Sequence, residues 1–474
     1  MPIVKKNSKR TILATLDVRS PFDQTLIRTI PRQSAAEADT MLQTALKLHR
    51  NRDGWLEPFQ RIAILKKLAG LVESEAGDFA RLIALEGGKP LMDARVEVAR
   101  AIDGILLAAQ ELPRVMRGEE IPMGLTAASK GRIAFTTCEP IGVVVALSAF
   151  NHPLNLIVHQ VVPAIAVGCP VIVKPASATP LNCLRLCELI ESAGLPRGWC
   201  QPIVCDNAVA EQLVTDPRIN FFSFIGSATV GWRLRGRLAP GVRCALEHGG
   251  VAPVIVDETA SLDQVVPSLL KGGFYHAGQV CVSVQRVYAQ EPVARDLARM
   301  LAEGAERLVV GAATSPETEV GPLIFPGEVE RVHEWVTEAV KGGAELLTGG
   351  NKISDTLYRP TVLLNPPADA RVSTDEVFGP VICVYSCRDR QDAIHRANSL
   401  DVAFQAAIFT NDLNTAFDTI KRLDASAVMV NDHTAFRVDW MPFGGRRVSG
   451  YGIGGIGYTM HDMIQTKMVV IKMG

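Results

Sequence analysis

The chain has 474 residues, of which 47% are hydrophobic, and its formal net charge is −1. This length exceeds what one hydrophobic core usually covers, so two or more domains are expected. A charge this close to zero gives no reason to expect nucleic acid or an anionic membrane surface as a partner. The longest apolar run, around residues 141–150, is too short to cross a bilayer.

The N-terminal stretch MPIVKKNSKR lacks an apolar core after its charged residues, so no secretory signal is expected. Ten cysteines in a chain this long do not resemble the dense pattern of a disulfide scaffold, which favours a reducing, cytoplasmic location. Cys183 and Cys187 lie at helical spacing, but no second ligand pair accompanies them in the sequence. No metal site is therefore predicted.

The N-terminal part of the chain is predicted to be an extended lead-in over residues 1–33 followed by helices. Ser34 and Glu37 form a capping-box pattern at the start of the first helix, and apolar residues recur at helical spacing beyond it. The predicted helices cover residues 35–50, 58–77 and 91–112. The polar stretch over 115–138 then favours a hairpin or a surface loop.

From residue 139 onwards, short apolar strands alternate with predicted helices. The strands are IGVVVALSA, PVIVKP, QPIVC and NFFSFIG, and the helices cover 154–167, 180–194 and 207–215. This alternation is typical of a parallel sheet with helices on both faces. Ligands of such sheets bind at the carboxyl ends of the strands, where AFN, KPAS and IGSATVG lie.

The region 254–440 alternates in the same way and predicts a second α/β unit. After residue 458 the chain ends in KMVVIK, an apolar stretch with strand character but no obvious partner in the sequence.

Cys281, in the segment GQVC, is the candidate nucleophile. Gly278 allows positive φ or a close backbone approach just before it. No acid lies within several residues of the thiol, so nothing nearby in the sequence opposes a thiolate. Taken alone, Cys281 is more readily explained as an inert core cysteine. Glu247, upstream in LEHGG between apolar residues and a Gly-Gly turn, supplies the carboxylate that could activate the thiol or a water molecule.

Asn151 follows a strongly apolar strand, where its amide could donate a hydrogen bond to a developing oxyanion together with the backbone N–H of Cys281. A turn asparagine is an equally good explanation from the residues alone.

Two glycine-rich turns are candidates for phosphate binding. Gly226–Gly231 follows a strand and precedes a predicted helix, so its backbone N–H groups could hold a pyrophosphate. Gly452, Gly454 and Gly457 match GxGxxG, but no clear strand precedes them and too few residues follow for a βαβ unit. The second turn is therefore rejected as a nucleotide site.

Separated motifs from about residue 20 to the C-terminus resemble the aldehyde dehydrogenase superfamily. They are AFNHP (149–153), VIVKPAS (171–177), FIGSATVG (224–231), ALEHGG (245–250), GQVC (278–281), EVFGP (376–380) and PFGG (442–445). The resemblance implies an α/β fold with a Rossmann-type cofactor domain, an α/β catalytic domain and a β oligomerisation arm. The implied ranges are 1–117 and 138–248 for the cofactor domain, 249–449 for the catalytic domain, and 118–137 and 458–474 for the arm.

The same resemblance implies an NAD(P)-dependent oxidation of an aldehyde to its acid by a homodimer or homotetramer. Cys281 is the implied nucleophile, Glu247 the base that activates water, and Asn151 the oxyanion donor. The implied cofactor-binding residues are Ser148, Lys174, Ser177, Gly226, Ser227, Val230, Glu376 and Phe378. By the same resemblance, Lys174 meets the adenosine ribose of the cofactor. Many NAD-preferring relatives carry, at the position of Ser177, a glutamate that binds both ribose hydroxyls, and a serine does not repel the 2′-phosphate of NADP.

Arg100, His152 and Arg437 stand at positions that are apolar, aromatic or tunnel-lining in the family, and together they predict a cationic pocket for a substrate anion. The segments around them look most like the branch that oxidises phosphonoacetaldehyde. Phosphonoacetaldehyde is therefore the first expected substrate, followed by sulfonated, lactaldehyde-type or semialdehyde substrates.

Two other functions stay open from the sequence. In a CoA-acylating dehydrogenase a thiol would take the acyl group in place of water, and Glu247 argues against this because hydrolysis is the step that needs a base. A non-enzymatic protein on the same scaffold is disfavoured by the presence of Cys281, Glu247 and Asn151 together.

Overall fold

The N-terminal part of the chain folds as a hairpin followed by four helices. A computed structural model describes residues 14–473. Residues 1–13 of the predicted lead-in therefore lie outside the described residues. The elements are β1 (Thr15–Arg19), β2 (Leu26–Pro31), α1 (Ala35–Arg50), α2 (Pro58–Ser74), α3 (Ala76–Gly87) and α4 (Leu91–Val115). The capping box is confirmed, since Ser34 N–H donates to Glu37 Oε2 at 2.7 Å and Glu37 N–H donates to Ser34 Oγ at 3.3 Å.

The prediction of an extended lead-in is wrong in one respect, because β1 and β2 pair antiparallel from Thr15↔Pro31 to Arg19↔Leu26. Pairing satisfies backbone groups that a single extended segment would leave open.

A predominantly parallel sheet follows, with its helices on both faces. Two strands come first, β3 (Glu120–Ile121) and β4 (Arg132–Pro140), and they belong to a separate sheet. The elements of the parallel unit are β5 (Val144–Leu147), α5 (Asn155–Val167), β6 (Val171–Lys174), α6 (Leu181–Ala193), β7 (Cys200–Pro202), α7 (Asn207–Thr215), β8 (Phe221–Ile225), α8 (Ala228–Arg235) and β9 (Arg243–Glu247). The strands β9, β8, β5, β6 and β7 lie side by side in that order. Every residue of α5 is buried, including the polar Asn155, His159 and Gln160, and the rest of the helix is apolar.

The second α/β unit is also confirmed. Its elements are β10 (Pro253–Val256), α9 (Leu262–Phe274), β11 (Arg286–Gln290), α10 (Glu291–Glu306), α11 (Pro326–Lys341), β12 (Glu345–Thr348), β13 (Thr361–Leu364), α12 (Arg371–Thr374), β14 (Val381–Cys387), α13 (Arg390–Ala397), β15 (Val402–Ala403), β16 (Gln405–Phe409), α14 (Leu413–Arg422) and β17 (Ala427–Val430). Seven strands form one sheet in the order β12-β13-β14-β11-β10-β16-β17. Its core is built from Val-, Ile- and Leu-rich strands that are buried on both faces.

The C-terminal part consists of β18 (Arg446–Arg447), β19 (Gly450–Tyr451), α15 (Ile456–Asp462) and β20 (Ile464–Lys472), of which β18 pairs with β15 in a two-stranded sheet. β20 contains the apolar KMVVIK stretch and pairs antiparallel with β4 from Ile464↔Pro140 to Lys472↔Arg132. β20, for which the sequence indicated no partner strand, therefore pairs with a strand of the same chain. With β3 it completes a three-stranded sheet.

β19 joins the edge of the first sheet antiparallel to β9. The GxGxxG sequence that begins at Gly452 therefore does not form a βαβ unit. Within residues 14–473, no helix is long and apolar enough to cross a membrane.

Candidate active site

One cavity of about 480 Å³ gathers most of the predicted site residues. It lies at the carboxyl ends of β5, β8 and β9 and is closed on its other side by the loop before β11, by residues near the end of α12 and by the segment after β17. The predicted residues that line it are Arg100, Ser148, Asn151, His152, Gly226, Ser227, Val230, Glu247, Cys281, Glu376, Phe378 and Arg437. Lys174 and Ser177 do not line this cavity and lie instead at and beyond the end of β6.

The loop that presents Cys281 has an unusual backbone. His276, Ala277 and Gly278 all adopt left-handed conformations, with φ of 49°, 55° and 71°. A Cβ at Gly278 would lie 2.1 Å from the carbonyl oxygen of Gly379, so this position needs glycine. Non-glycine residues in this region of φ are costly and cluster at functional sites.

Gln279, which the sequence analysis did not assign, fixes this loop. Its side-chain amide donates to the carbonyl oxygen of Pro322 at 3.1 Å and to that of His276 at 3.2 Å, and its Oε1 accepts from Ile324 N–H at 2.9 Å. Gln279 is buried, and a buried amide must form hydrogen bonds. Its position within the GQVC motif was the only sign in the sequence that it holds the nucleophile loop.

Two acids that are distant from Cys281 in the sequence lie near its thiol and oppose its ionisation. Desolvation raises the pKa of the thiol well above its usual value, and the carboxylates of Glu247 and Glu376 raise it further, while Arg437 opposes them. The two acids are remote in sequence and are brought close by the ends of β9 and α12. Burial of the thiol and the two acids that the fold brings near it, neither of which the sequence revealed, together disfavour the thiolate.

Glu247 is the last residue of β9 and lies within the same cavity. Burial raises the pKa of its carboxyl group, and the charge of Arg437 opposes that change. A carboxyl group with a raised pKa is a better proton acceptor than an ordinary one, which suits a general base.

Asn151 is buried, and its Nδ2 donates to the carbonyl oxygen of Gln279 at 2.9 Å. One of its two amide hydrogens is thereby fixed against the nucleophile loop, and the other remains to donate. Among the described residues, the backbone N–H of Cys281 has no hydrogen-bond acceptor in another residue. The pair could thus donate to an oxyanion, as predicted.

The residues at the strand ends fit a dinucleotide. Two buried oxygens that line the cavity, Ser148 Oγ and Glu376 Oε1, have no hydrogen-bond partner within residues 14–473. Burial raises the pKa of Glu376 to about 8, with a backbone hydrogen bond from Gly250 opposing it. Ser227 caps α8 without a side-chain hydrogen bond, which leaves the first N–H groups of that helix open to a phosphate.

Arg100 does not present a free charge. Its Nη2 and Nε lie 2.7 and 3.1 Å from the two carboxylate oxygens of Asp439, which also contacts His159 Nε2 at 2.7 Å. Burial favours the neutral acid, yet the hydrogen bonds from His159 and Arg100 hold the pKa of Asp439 well below its usual range. Arg100 is therefore one half of a buried ion pair that the sequence did not predict.

His152 is neutral, which corrects the expectation that it contributes a positive charge. Its Nδ1 lies 2.8 Å from Lys89 Nζ, and Lys89 forms a buried salt bridge with Glu97. Burial, and then the charge of Lys89, lowers the pKa of His152 well below its usual value. The ring accepts a hydrogen bond from the lysine and carries no charge toward the cavity.

Arg437 differs from both neighbours because no carboxylate in the described part of the chain lies within hydrogen-bond distance of it. Its Nη1 lies 3.9 Å from Glu247 Oε1, its Nη2 lies 3.5 Å from His159 Nδ1, and its Nε has no partner in the described part of the chain. The side chain is only 10% exposed and stacks over Phe443 at 3.6 Å. It is a buried cation with unused donors at the wall of the cavity.

Comparison with known proteins agrees with this geometry, since residues 7–469 match the model of the Aldehyde dehydrogenase family. The chain belongs to the aldehyde dehydrogenase family. It is an NAD(P)-dependent aldehyde dehydrogenase with the α/β fold of that family.

Its relatives differ in substrate. The chain is 38% identical to 3-sulfolactaldehyde dehydrogenase of Priestia aryabhattai, over 88% of this chain and 87% of the relative. It is 36% identical to lactaldehyde dehydrogenase of Methanococcus vannielii, over 96% and 97% of the two chains. Among solved structures, glyceraldehyde-3-phosphate dehydrogenase of Methanocaldococcus jannaschii complexed with NADP superposes with a TM-score of 0.91 at 35% identity, covering 96% of this chain and 99% of that one.

Proposed function

We propose that this aldehyde dehydrogenase oxidises a short aldehyde that carries a sulfonate or phosphonate group. Cys281 supplies the nucleophile, Asn151 and the Cys281 N–H bind the oxyanion, Glu247 activates the hydrolytic water, and Arg437 binds the substrate anion. The single observation that supports an anionic substrate is the Arg437 guanidinium, which is largely buried at the wall of the cavity and has N–H groups without a hydrogen-bond acceptor among the described residues.

In this mechanism the Cys281 thiol first releases its proton to water, and the thiolate sulfur attacks the aldehyde carbon to form a thiohemiacetal. Asn151 Nδ2 and the Cys281 N–H stabilise the negative oxygen by charge-assisted hydrogen bonds. Ser148, Glu376 and the first turn of α8 would hold the dinucleotide, which would supply the hydride acceptor for oxidation of the thiohemiacetal to a thioester. Glu247 then removes a proton from water, whose oxygen attacks the thioester, and the acid leaves while Cys281 regains its proton.

Electrostatics favours an anion over a neutral substrate at Arg437. Burial lowers the pKa of its guanidinium, because its two polar neighbours lie too far away to compensate fully for lost water. A sulfonate or phosphonate could accept two hydrogen bonds from the guanidinium fork, which a hydroxyl group could not. Arg100 and His152 contribute less than the sequence suggested, since the first is neutralised by Asp439 and the second is uncharged.

The names of the relatives support a short anionic aldehyde as the substrate but do not identify which aldehyde it is. One relative is named for a sulfonated aldehyde, one solved neighbour for a phosphorylated aldehyde and one relative for neutral lactaldehyde. Phosphonoacetaldehyde and sulfolactaldehyde both carry a tetrahedral anionic group a short distance from the aldehyde. Both therefore belong in the first assay, with lactaldehyde as the neutral comparison.

Arg437→Ala is expected to lower kcat/KM for phosphonoacetaldehyde and sulfolactaldehyde by about ten- to a hundredfold. This is the loss expected for one partly buried charge-assisted hydrogen bond worth roughly 1.5–3 kcal/mol. Lactaldehyde should be oxidised as well as before. The measurement is steady-state NADH or NADPH formation with each aldehyde at one fixed ionic strength.

Two variants act as controls for that experiment. Arg437→Lys keeps the charge but loses the fork, so it should recover only part of the lost activity. Arg100→Lys keeps a cation that can pair with Asp439, so its effect should not depend on the charge of the aldehyde. Equal losses on charged and neutral aldehydes for Arg437→Ala would show that Arg437 supports the fold and does not bind the anion.

We further propose that the enzyme is a homodimer or homotetramer assembled through β20. This nine-residue strand lies at the edge of its sheet and is exposed along most of its length, with Met468, Val470 and Ile471 about half exposed. An apolar, unpaired edge of this length is normally covered. A second copy of the chain is the proposed cover.

Deletion of residues 466–474 is expected to reduce the size of the assembly, since it removes most of β20 and keeps the buried Met463 and Ile464. Val470→Glu, which leaves the backbone intact, should act in the same direction. Light scattering coupled to size-exclusion chromatography measures the mass. An unchanged mass in both variants would contradict the proposal.

A further inference from the structure

Arg32 is held beside the adenosine end of the predicted cofactor site by the segment after the N-terminal hairpin. The next residue, Gln33, donates its backbone N–H to the carbonyl oxygen of Val204 at 2.7 Å. Its side-chain Oε1 accepts from the Val204 N–H, also at 2.7 Å. Because Val204 follows β7, and β7 pairs with β6, Arg32 is fixed near the carboxyl end of the strand that Lys174 terminates.

The guanidinium of Arg32 is not paired with any carboxylate of the described residues. The side chain is half-buried, and no carboxylate within residues 14–473 forms a salt bridge or hydrogen bond with it. The first thirteen residues contain neither Asp nor Glu, so they offer no carboxylate side chain either. Asp206, the acid beside Cys205, accepts a hydrogen bond from Val209 N–H at 2.9 Å as the cap of α7.

Lys174 lies close enough to Arg32 for the two positive charges to repel each other. Burial lowers the pKa of Lys174, and the positive charge of Arg32 lowers it further. The Nζ atom makes only one long contact, 3.4 Å to the carbonyl oxygen of Pro175. Two cations that repel one another at a strand end are stabilised when an anion binds between them.

Ser177 completes the cluster. It is exposed beyond the end of β6, three residues after Lys174, and it brings a hydroxyl and no negative charge. A carboxylate at this position would oppose a phosphate by like-charge repulsion, and the serine does not. The three side chains thus combine two positive charges with a neutral donor at the place where the adenosine ribose is predicted to lie.

We propose that Arg32, with Lys174 and Ser177, binds the 2′-phosphate of NADP, so that this dehydrogenase prefers NADP to NAD. Arg32 is the specificity-determining residue of the three, because Lys174 can serve the ribose of either dinucleotide. The planar guanidinium can hold two phosphate oxygens at once. This inference concerns the cofactor and does not depend on which aldehyde the enzyme oxidises.

The test is isothermal titration calorimetry with 2′,5′-ADP and 5′-AMP, which differ only in the 2′-phosphate. The unmodified enzyme should bind 2′,5′-ADP at least about tenfold more tightly, the factor expected for one charge-assisted contact. Arg32→Ala should remove most of that preference and leave the affinity for 5′-AMP unchanged. Ser177→Glu should remove it as well, through repulsion of the phosphate.

Arg28→Ala is the matched control, since Arg28 is an exposed arginine of the same hairpin and should leave both affinities unchanged. The ratio of kcat/KM for NADP to that for NAD should follow the calorimetric result in each variant. Equal binding of the two nucleotides by the unmodified enzyme would overturn the proposal. So would a loss in Arg32→Ala that is the same for 2′,5′-ADP and 5′-AMP, because that pattern would mean the residue supports the strand end.

Discussion

Replacement of Cys281 by alanine is expected to lower kcat by about 10⁴-fold or more, because no thioester can form without the sulfur. The cavity would otherwise stay intact, since the loop is fixed by the amide of Gln279 and the glycine at 278. Binding of NADP measured by calorimetry should therefore be unchanged. Intact-protein mass spectrometry should show an acyl adduct on the unmodified enzyme during turnover and none on the variant.

Cys138→Ala is the matched control for this experiment. Cys138 is also a partly exposed free thiol, but it lies on β4 and does not line the cavity. Its loss should leave kcat within about twofold, as is usual for a surface substitution. If Cys281→Ala retained more than a few per cent of the activity, another residue would have to be the nucleophile.

The positions of the site residues could be predicted because strand ends in a parallel sheet meet at one edge. AFN, KPAS and IGSATVG were placed at such ends from the alternation of apolar runs and helices. AFN and IGSATVG converge on the cavity, whereas Lys174 and Ser177 of KPAS do not line it. Local signals were equally reliable for individual helices. The helix predicted over 207–215 has those bounds in the structure, where Asp206 caps it by a hydrogen bond to Val209 N–H.

Charge states within the site could not be predicted, because they depend on partners far away in the sequence. Arg100 looked like a free cation until Asp439, more than three hundred residues later, was found to bind it. His152 looked like a switchable charge until Lys89 and Glu97 were found buried beside it. Of the three residues, only Arg437 is a cation at the cavity wall without a close carboxylate partner among the described residues, as the sequence suggested.

Two structural elements were also missed, for different reasons. The hairpin of β1 and β2 was missed because the pairing of two strands cannot be seen in the periodicity of either one. α3 did carry a helical pattern, since Phe79, Ala80 and Ile83 are buried on one face. α3 begins directly after Glu75, the C-cap of α2. The single helix predicted over 58–77 therefore included the first residues of α3, and the break between the two helices was missed.

Glu247→Gln is expected to lower kcat by about 10²- to 10³-fold while hydride transfer stays fast, because a general base typically contributes 10²–10⁴-fold and water attacks the thioester only after that transfer. Stopped-flow absorbance should show a burst of NADPH or NADH followed by a slow steady phase. Quenched samples should contain the acylated chain in an amount equal to the burst. Glu328→Gln, a matched loss of a carboxylate at the wall of the same cavity, should show neither effect.

The same variant separates two roles for Glu247, since its charge raises the pKa of the Cys281 thiol whereas a base acting on the thiol would promote ionisation. If Glu247 acts only on water, its replacement by glutamine lowers the pKa of the thiol, more thiolate is present at neutral pH, and iodoacetamide alkylates Cys281 faster. The rate measured from pH 6 to 10 should shift toward lower pH. Slower alkylation in Glu247→Gln, together with a burst that vanishes, would show instead that Glu247 removes the proton from Cys281 before the aldehyde is attacked.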